Sequence, residues 1–227
     1  MLAQNLPAAV LWDLDGTLID SEHYWMLSEQ ALASRYPGEW KHEDGLDLIG
    51  LALPVSCQIM KERMGIHDLS IDEIMHELTD GVLANLEREI PWRPGALELL
   101  QALNAAGVKQ ALVTMSMRRM ALTVANSFES EIFHIVVAGD DVANGKPHPE
   151  AYLKAAESLG VNPEHCVAFE DSINGLRSAE SAGTRAIAVP NMMHIPEQEG
   201  RIIWPTLENV ELQHLIDLFG AESRPTA

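Results

Sequence analysis

The sequence predicts an α/β protein, a doubly wound parallel sheet interrupted by an all-helical insertion. Two observations carry this. Five short apolar runs, at 8–12, 110–114, 135–138, 166–169 and 185–189, read as buried strands, and helical patterns separate the last four. Alternation of that kind requires right-handed crossovers and a parallel sheet. The gap between the first two runs is far longer than a crossover of roughly a dozen residues, and its pattern is helical throughout.

The elements follow in chain order. The first strand runs directly into Asp13-Leu14-Asp15-Gly16-Thr17. Helical patterns then occupy 23–35, 54–64 and 71–88, and Ser70 with Glu73 forms a capping box for the third. The chain returns through Pro91-Trp92-Arg93-Pro94-Gly95, a Pro/Gly cluster suited to a boundary, into a helix at 96–106 that Gly107 closes. Beyond it, helices are expected at 117–128, 149–159 and 173–182, between the remaining strands. An amphipathic tail helix is expected at 207–219, with 221–227 frayed. The expected division is a core of 1–21 and 91–227 and a helical domain of 22–90.

Composition excludes several classes of function. The 227 residues carry 34 Asp and Glu against 15 Lys and Arg, a net charge of −19. Such a surface repels nucleic acid and anionic lipid, so neither is an expected partner. The start has no basic region ahead of its apolar run, and no stretch approaches the roughly 18 apolar residues of a membrane span. A cytoplasmic protein is expected. Cys57 and Cys166 lack metal-type spacing and read as buried free thiols. The nine histidines show no zinc pattern.

The chemistry-bearing residues fall at the C-terminal ends of the predicted strands, the edge where open α/β sheets bind ligands. Asp13 and Asp15, two residues apart with Gly16 to turn the chain, repel each other and need a cation or a proton between them. An Asx turn is the plainer alternative for this segment. Thr114 ends the second strand beside the free N–H groups of Met115 and Ser116, suited to phosphate oxygens. Lys146, in the stiff loop Asn144-Gly145-Lys146-Pro147-His148-Pro149, can neutralise a phosphate and a carboxylate together. Glu170 and Asp171 end the fourth strand as a second acidic pair. A helix cap or a surface lysine explains any one of these, but not their order at successive strand ends.

With these residues in place, the sequence resembles the haloacid dehalogenase superfamily over nearly its whole length. Asp13-Leu14-Asp15-Gly16-Thr17, Thr114, Lys146 and Glu170-Asp171 match its four motifs. Residues 13–22, 145–150 and 169–175 are similar to the subfamily of β-phosphoglucomutase and sugar-phosphate phosphatases, whose helical cap follows the first motif. The resemblance implies Asp13 as nucleophile, forming an aspartyl-phosphate, and Asp15 as general acid and then base. Thr17 would help to orient Asp15. Mg²⁺ would be held by the Asp13 carboxylate, the Asp15 carbonyl and Asp171, with Glu170 nearby or coordinating. Thr114, the N–H groups of Met115 and Ser116, and Lys146 would hold the phosphoryl group. In the cap, Trp25 and His23 are candidates for contact with a phosphorylated small-molecule substrate, or for packing within the cap.

A mutase of this type grips its second phosphate with a cap arginine, and 49–54 holds no basic residue, which favours a phosphatase. Lys41, Lys61 or Arg63 could still supply the charge. Dehalogenation leaves Asp15 without a leaving group to protonate, and no feature supports the Schiff-base lysine of phosphonate cleavage. The alternative of another class, a catalytically silent fold that only binds, conflicts with the intact set of catalytic residue types. A monomer is expected, because a cap has to move.

Overall fold

A computed structural model describes residues 6–220; the expected fraying at 221–227 and the outer ends of the core division lie outside them. Six strands form one parallel sheet: β1 (Ala9–Trp12), β2 (Lys109–Val113), β3 (Ile135–Val137), β4 (Cys166–Glu170), β5 (Arg185–Ala188) and β6 (Ile202–Ile203). Their order is β3-β2-β1-β4-β5-β6. The strand absent from the sequence expectation is β6, whose two residues carry no legible period. The helices of the core are α5 (Ala96–Ala105), α6 (Arg118–Ala125), α7 (Glu150–Leu159), α8 (Ile173–Ser181) and α9 (Leu212–Gly220), and α1 to α4 precede them. The tail helix is shorter than expected, because 207–211 forms a turn.

The sheet alternates as a pleat requires. Val10 and Trp12 face one hydrophobic core, packed by α5, α6 and α9, and Ala9 and Leu11 face the other, packed by α7. On the first face Trp12 stacks on Phe169 with ring centroids 4.5 Å apart. Its indole N–H donates to Gln110 Oε1 (3.0 Å), and Gln110 in turn donates to Leu100 O (3.0 Å), so this buried polar pair is satisfied. On the second face small residues, Ala9, Ala111, Ala168, Ala151 and Ala155, let α7 lie close to the sheet.

The insertion comprises α1 (Glu22–Ala33), α2 (His42–Leu46), α3 (Leu53–Met64) and α4 (Ile71–Leu86). The short α2, with Gly45 inside it, was not legible in the sequence. Ser70 caps α4 as expected, accepting from Glu73 N (3.2 Å) while Glu73 Oε2 accepts from Ser70 N (2.8 Å). Leu32, Cys57, Met60, Met64, Ile66, Ile74 and Leu78 give these helices a shared hydrophobic cluster, which Met117 of the core joins. The two connecting segments run side by side, with Asp20 N donating to Pro91 O (2.8 Å) and Arg93 N to Leu18 O (2.9 Å). Both cysteines are buried free thiols, as expected. No helix among the described residues is long and apolar enough to cross a membrane.

Candidate active site

Strand register places the site. Trp12 pairs with Leu112 on one side and Phe169 on the other, so Asp13, Thr114, Glu170 and Asp171 emerge together at the carboxyl edge. From β1 the chain builds β2 and β3 outward on one side, then crosses to β4, β5 and β6 on the other, so the direction switches beside β1, where α/β sheets open a crevice. The cleft there, between the strand ends and the insertion, has a volume of about 120 Å³.

Lys146 is the electrostatic centre. It is 8% exposed, and its Nζ donates to Asp13 Oδ1 (2.7 Å), Glu170 Oε1 (2.6 Å) and Val113 O (2.9 Å). Burial opposes its charge, but the attraction of Asp13 and Glu170 outweighs burial and raises its pKa. Tyr152, fully buried on α7, donates its hydroxyl to the same Glu170 oxygen (2.6 Å).

Asp13, Glu170 and Asp171 are buried and bring carboxylate oxygens within 4.8 Å of one another. Burial, then Glu170, raises Asp13 to about 7 against the pull of Lys146. Burial, then Asp13 and Glu170, pushes Asp171 well above the carboxylate range. Asp13 Oδ2 is buried without a hydrogen-bond partner. An unpartnered oxygen among three crowded carboxyls is the donor set of a hard divalent cation, and the residues fit one. Two glycines make room for it. A Cβ on Gly16 (φ +79°) would lie 2.0 Å from Asp171 Oδ2, and one on Gly175 would lie 1.8 Å from Glu170 Oε2.

Asp15 turns away from this cluster, so only its main-chain carbonyl remains a candidate ligand. Its Oδ1 accepts from Ser21 Oγ (2.5 Å) and Trp25 Nε1 (3.0 Å), its Oδ2 from Ser116 Oγ (2.6 Å) and Thr114 Oγ1 (3.4 Å). The orienting role expected of Thr17 therefore falls to these four donors. The Thr17 hydroxyl is fully buried and makes no hydrogen bond. The Ser116 N–H, expected to be free, donates to Thr114 Oγ1 (3.0 Å), and the Met115 thioether accepts from Lys146 N (3.2 Å).

From the insertion, Trp25 lines the cleft, and so do Glu22 and Glu29. His23 does not; it is exposed, lies 3.2 Å from Asp20 O and rests against Tyr24. Burial raises Glu22 to about 8 and Glu29 to about 7. Among the described residues lining the cleft, Lys146 is the sole cation. The basic residues considered for a cap charge are engaged elsewhere: Lys41 with Glu39 (3.4 Å), Lys61 with Leu69 O, and Arg63 with Asp44 (2.7 Å) and Asp47 (3.2 Å). Beneath the first motif, Arg93 donates to Gly16 O, Val189 O (3.0 Å) and Pro190 O (3.0 Å). Tyr152, Arg93, Ser21, Glu22 and Glu29 escaped the sequence reading. A tyrosine on a helix or a serine before one carries no signal of what it touches.

Fold and site together define an α/β enzyme with a carboxylate–lysine centre at its switch point. The haloacid dehalogenase-like hydrolase model matches residues 7–183, and the chain belongs to that family. It is 34% identical over 182 residues to the phosphorylated carbohydrates phosphatase of Thermotoga maritima, covering 79% of this chain and 83% of that one. Hexitol phosphatase B of Escherichia coli O157:H7 is 30% identical over 214 residues, covering 92% and 93%. Among solved structures, CbbY of Rhodobacter sphaeroides in complex with xylulose-(1,5)bisphosphate superposes with a TM-score of 0.80 at 28% identity, covering 90% and 96%.

Proposed function

We propose that this chain is a Mg²⁺-dependent phosphatase of small phosphomonoesters, sugar or related metabolite phosphates, working through an aspartyl-phosphate. The observation that carries the reading is the Lys146 ammonium bound to both Asp13 and Glu170 beside an unpartnered Asp13 oxygen. Asp13, Glu170, Asp171 and the Asp15 carbonyl would hold the cation. When bound, it offsets the phosphate charge and the mutual repulsion of the carboxylates.

An Asp13 carboxylate oxygen attacks phosphorus, the bond to the ester oxygen breaks, and Asp15 gives that oxygen a proton. Asp15 then takes a proton from the water that attacks the aspartyl-phosphate, and inorganic phosphate leaves. Lys146 favours the ionised form of Asp13 and balances charge as it shifts between phosphate and carboxylate. Thr114, Met115 and Ser116 border the phosphoryl position at the end of β2. Residues 22–90 act as a cap that closes over the site, excludes water and reads the leaving group. Relatives that act on phosphorylated carbohydrates and hexitol phosphates support the substrate class. Among the described residues the cap contributes no cation to the lining of the cleft, which supports hydrolysis over mutase transfer.

The same reading has the protein working as a cytoplasmic monomer, and light scattering checks its mass. Screening phosphorylated metabolites with Mg²⁺ tests the activity. It predicts turnover of sugar or polyol monophosphates, loss with EDTA and loss in Asp13→Asn. Full activity in Asp13→Asn contradicts the mechanism, and no hydrolysis of any phosphoester favours a silent binding protein.

A further inference from the structure

We propose that Trp25 is a positioning residue that ties the placement of the cap to the placement of the acid Asp15. The inference rests on the phosphatase reading above. Asp15 sits between two sets of donors. Thr114 and Ser116 reach Oδ2 from the end of β2, and Ser21 and Trp25 reach Oδ1 from the start of α1. Ser21 stands at the N-cap of α1 but makes no capping hydrogen bond, because its hydroxyl is engaged by Asp15.

Trp25 differs from the other three donors in kind. A hydroxyl rotates and can donate or accept, whereas an indole N–H only donates and its direction is fixed by the ring. The ring is held from both sides. It packs against the cluster that joins β1 to Tyr24, Val82 and Leu86 of the insertion, and also against the cluster around Met60 and Leu78. A shift of the insertion relative to the sheet therefore moves the N–H away from Asp15. Two donors on each oxygen fix the plane of the Asp15 carboxyl, and the pair on Oδ1 comes from α1 and its N-cap. The acid is set for transfer only when α1 is in place.

The test separates leaving groups. Losing acid assistance harms esters whose alkoxide is a poor leaving group and spares those that leave unaided, and general acid–base assistance contributes roughly 10²–10⁴-fold. Values of kcat/KM, which cover the steps through cleavage of the ester bond, are measured for 2,4-dinitrophenyl phosphate. They are also measured for the best alkyl substrate among glycerol 1-phosphate, sorbitol 6-phosphate and glucose 6-phosphate. Trp25→Phe keeps an aromatic ring but removes the donor. The alkyl value is expected to fall about 10- to 100-fold and the dinitrophenyl value less than about 3-fold, with partial recovery in Trp25→His. Asp15→Asn should show the same selectivity more strongly. If Asp15→Asn is selective while Trp25→Phe lowers both substrates equally, or neither, the tether is overturned and the acid stands. If Asp15→Asn is itself unselective, the acid assignment falls and takes the tether with it.

Discussion

At the scale of single residues, two effects govern the site, the cost of a buried charge and the room left by glycine. Lys146→Met removes the one cation from beside Asp13 and Glu170. Breaking a buried pair costs about 3–5 kcal/mol, so urea unfolding should show a loss of that order together with loss of phosphatase activity. Gly16→Ala places a Cβ against Asp171 and strains a backbone at φ +79°. A Mg²⁺ titration should show its metal affinity falling at least about tenfold with the fold retained. Glu29 makes stability fall as pH rises. Its pKa rises from 4.5 to about 7 on burial, so the stability it contributes is complete below pH 4.5 and is lost as pH climbs toward 7. Wild type should lose about 3 kcal/mol from this group across that window, and Glu29→Gln should not, as unfolding at pH 4.5 and 7.5 would show. The site's acids were legible because they stand at strand ends, and Lys146 because it follows the third strand in a stiff loop bounded by Pro147 and Pro149. Ser21, Tyr152 and Glu29 were not, because their significance is a contact between distant elements.

At the scale of elements, β1 decides the architecture. It is central, buried on both faces, and its last residue, Trp12, carries a ring stacked on Phe169. Trp12→Ala should cost about 3–5 kcal/mol and lower kcat as the end of β1 loosens beneath Asp13, which thermal unfolding and steady-state assays measure together. Five of the strands were legible because their apolar runs end in turn or acidic residues, and α4 because Ser70 and Glu73 mark its start. The sixth strand was not, because Ile202–Ile203 is too short for any period, and its pairing with β5 decides its identity. The start of α9 was misplaced for a related reason: apolar residues at 207–211 extend the helical pattern through a turn.

At the scale of the whole molecule, a net charge of −19 must be reconciled with an anionic substrate. The described cleft contains one cation, itself neutralised by two carboxylates, so a bound divalent ion is what makes the site attractive to phosphate. Mg²⁺ at about 100 times its dissociation constant should stabilise the protein by about 3 kcal/mol, an effect EDTA reverses and Asp171→Asn removes. The most direct test of the account is the identity of the phosphorylated residue. Acid quenching during turnover, borohydride reduction and peptide mass spectrometry convert an acyl phosphate into an alcohol at the residue that carried it. That mark is expected on Asp13. The mark on any other residue, or its absence from Asp13 during active turnover, would contradict it.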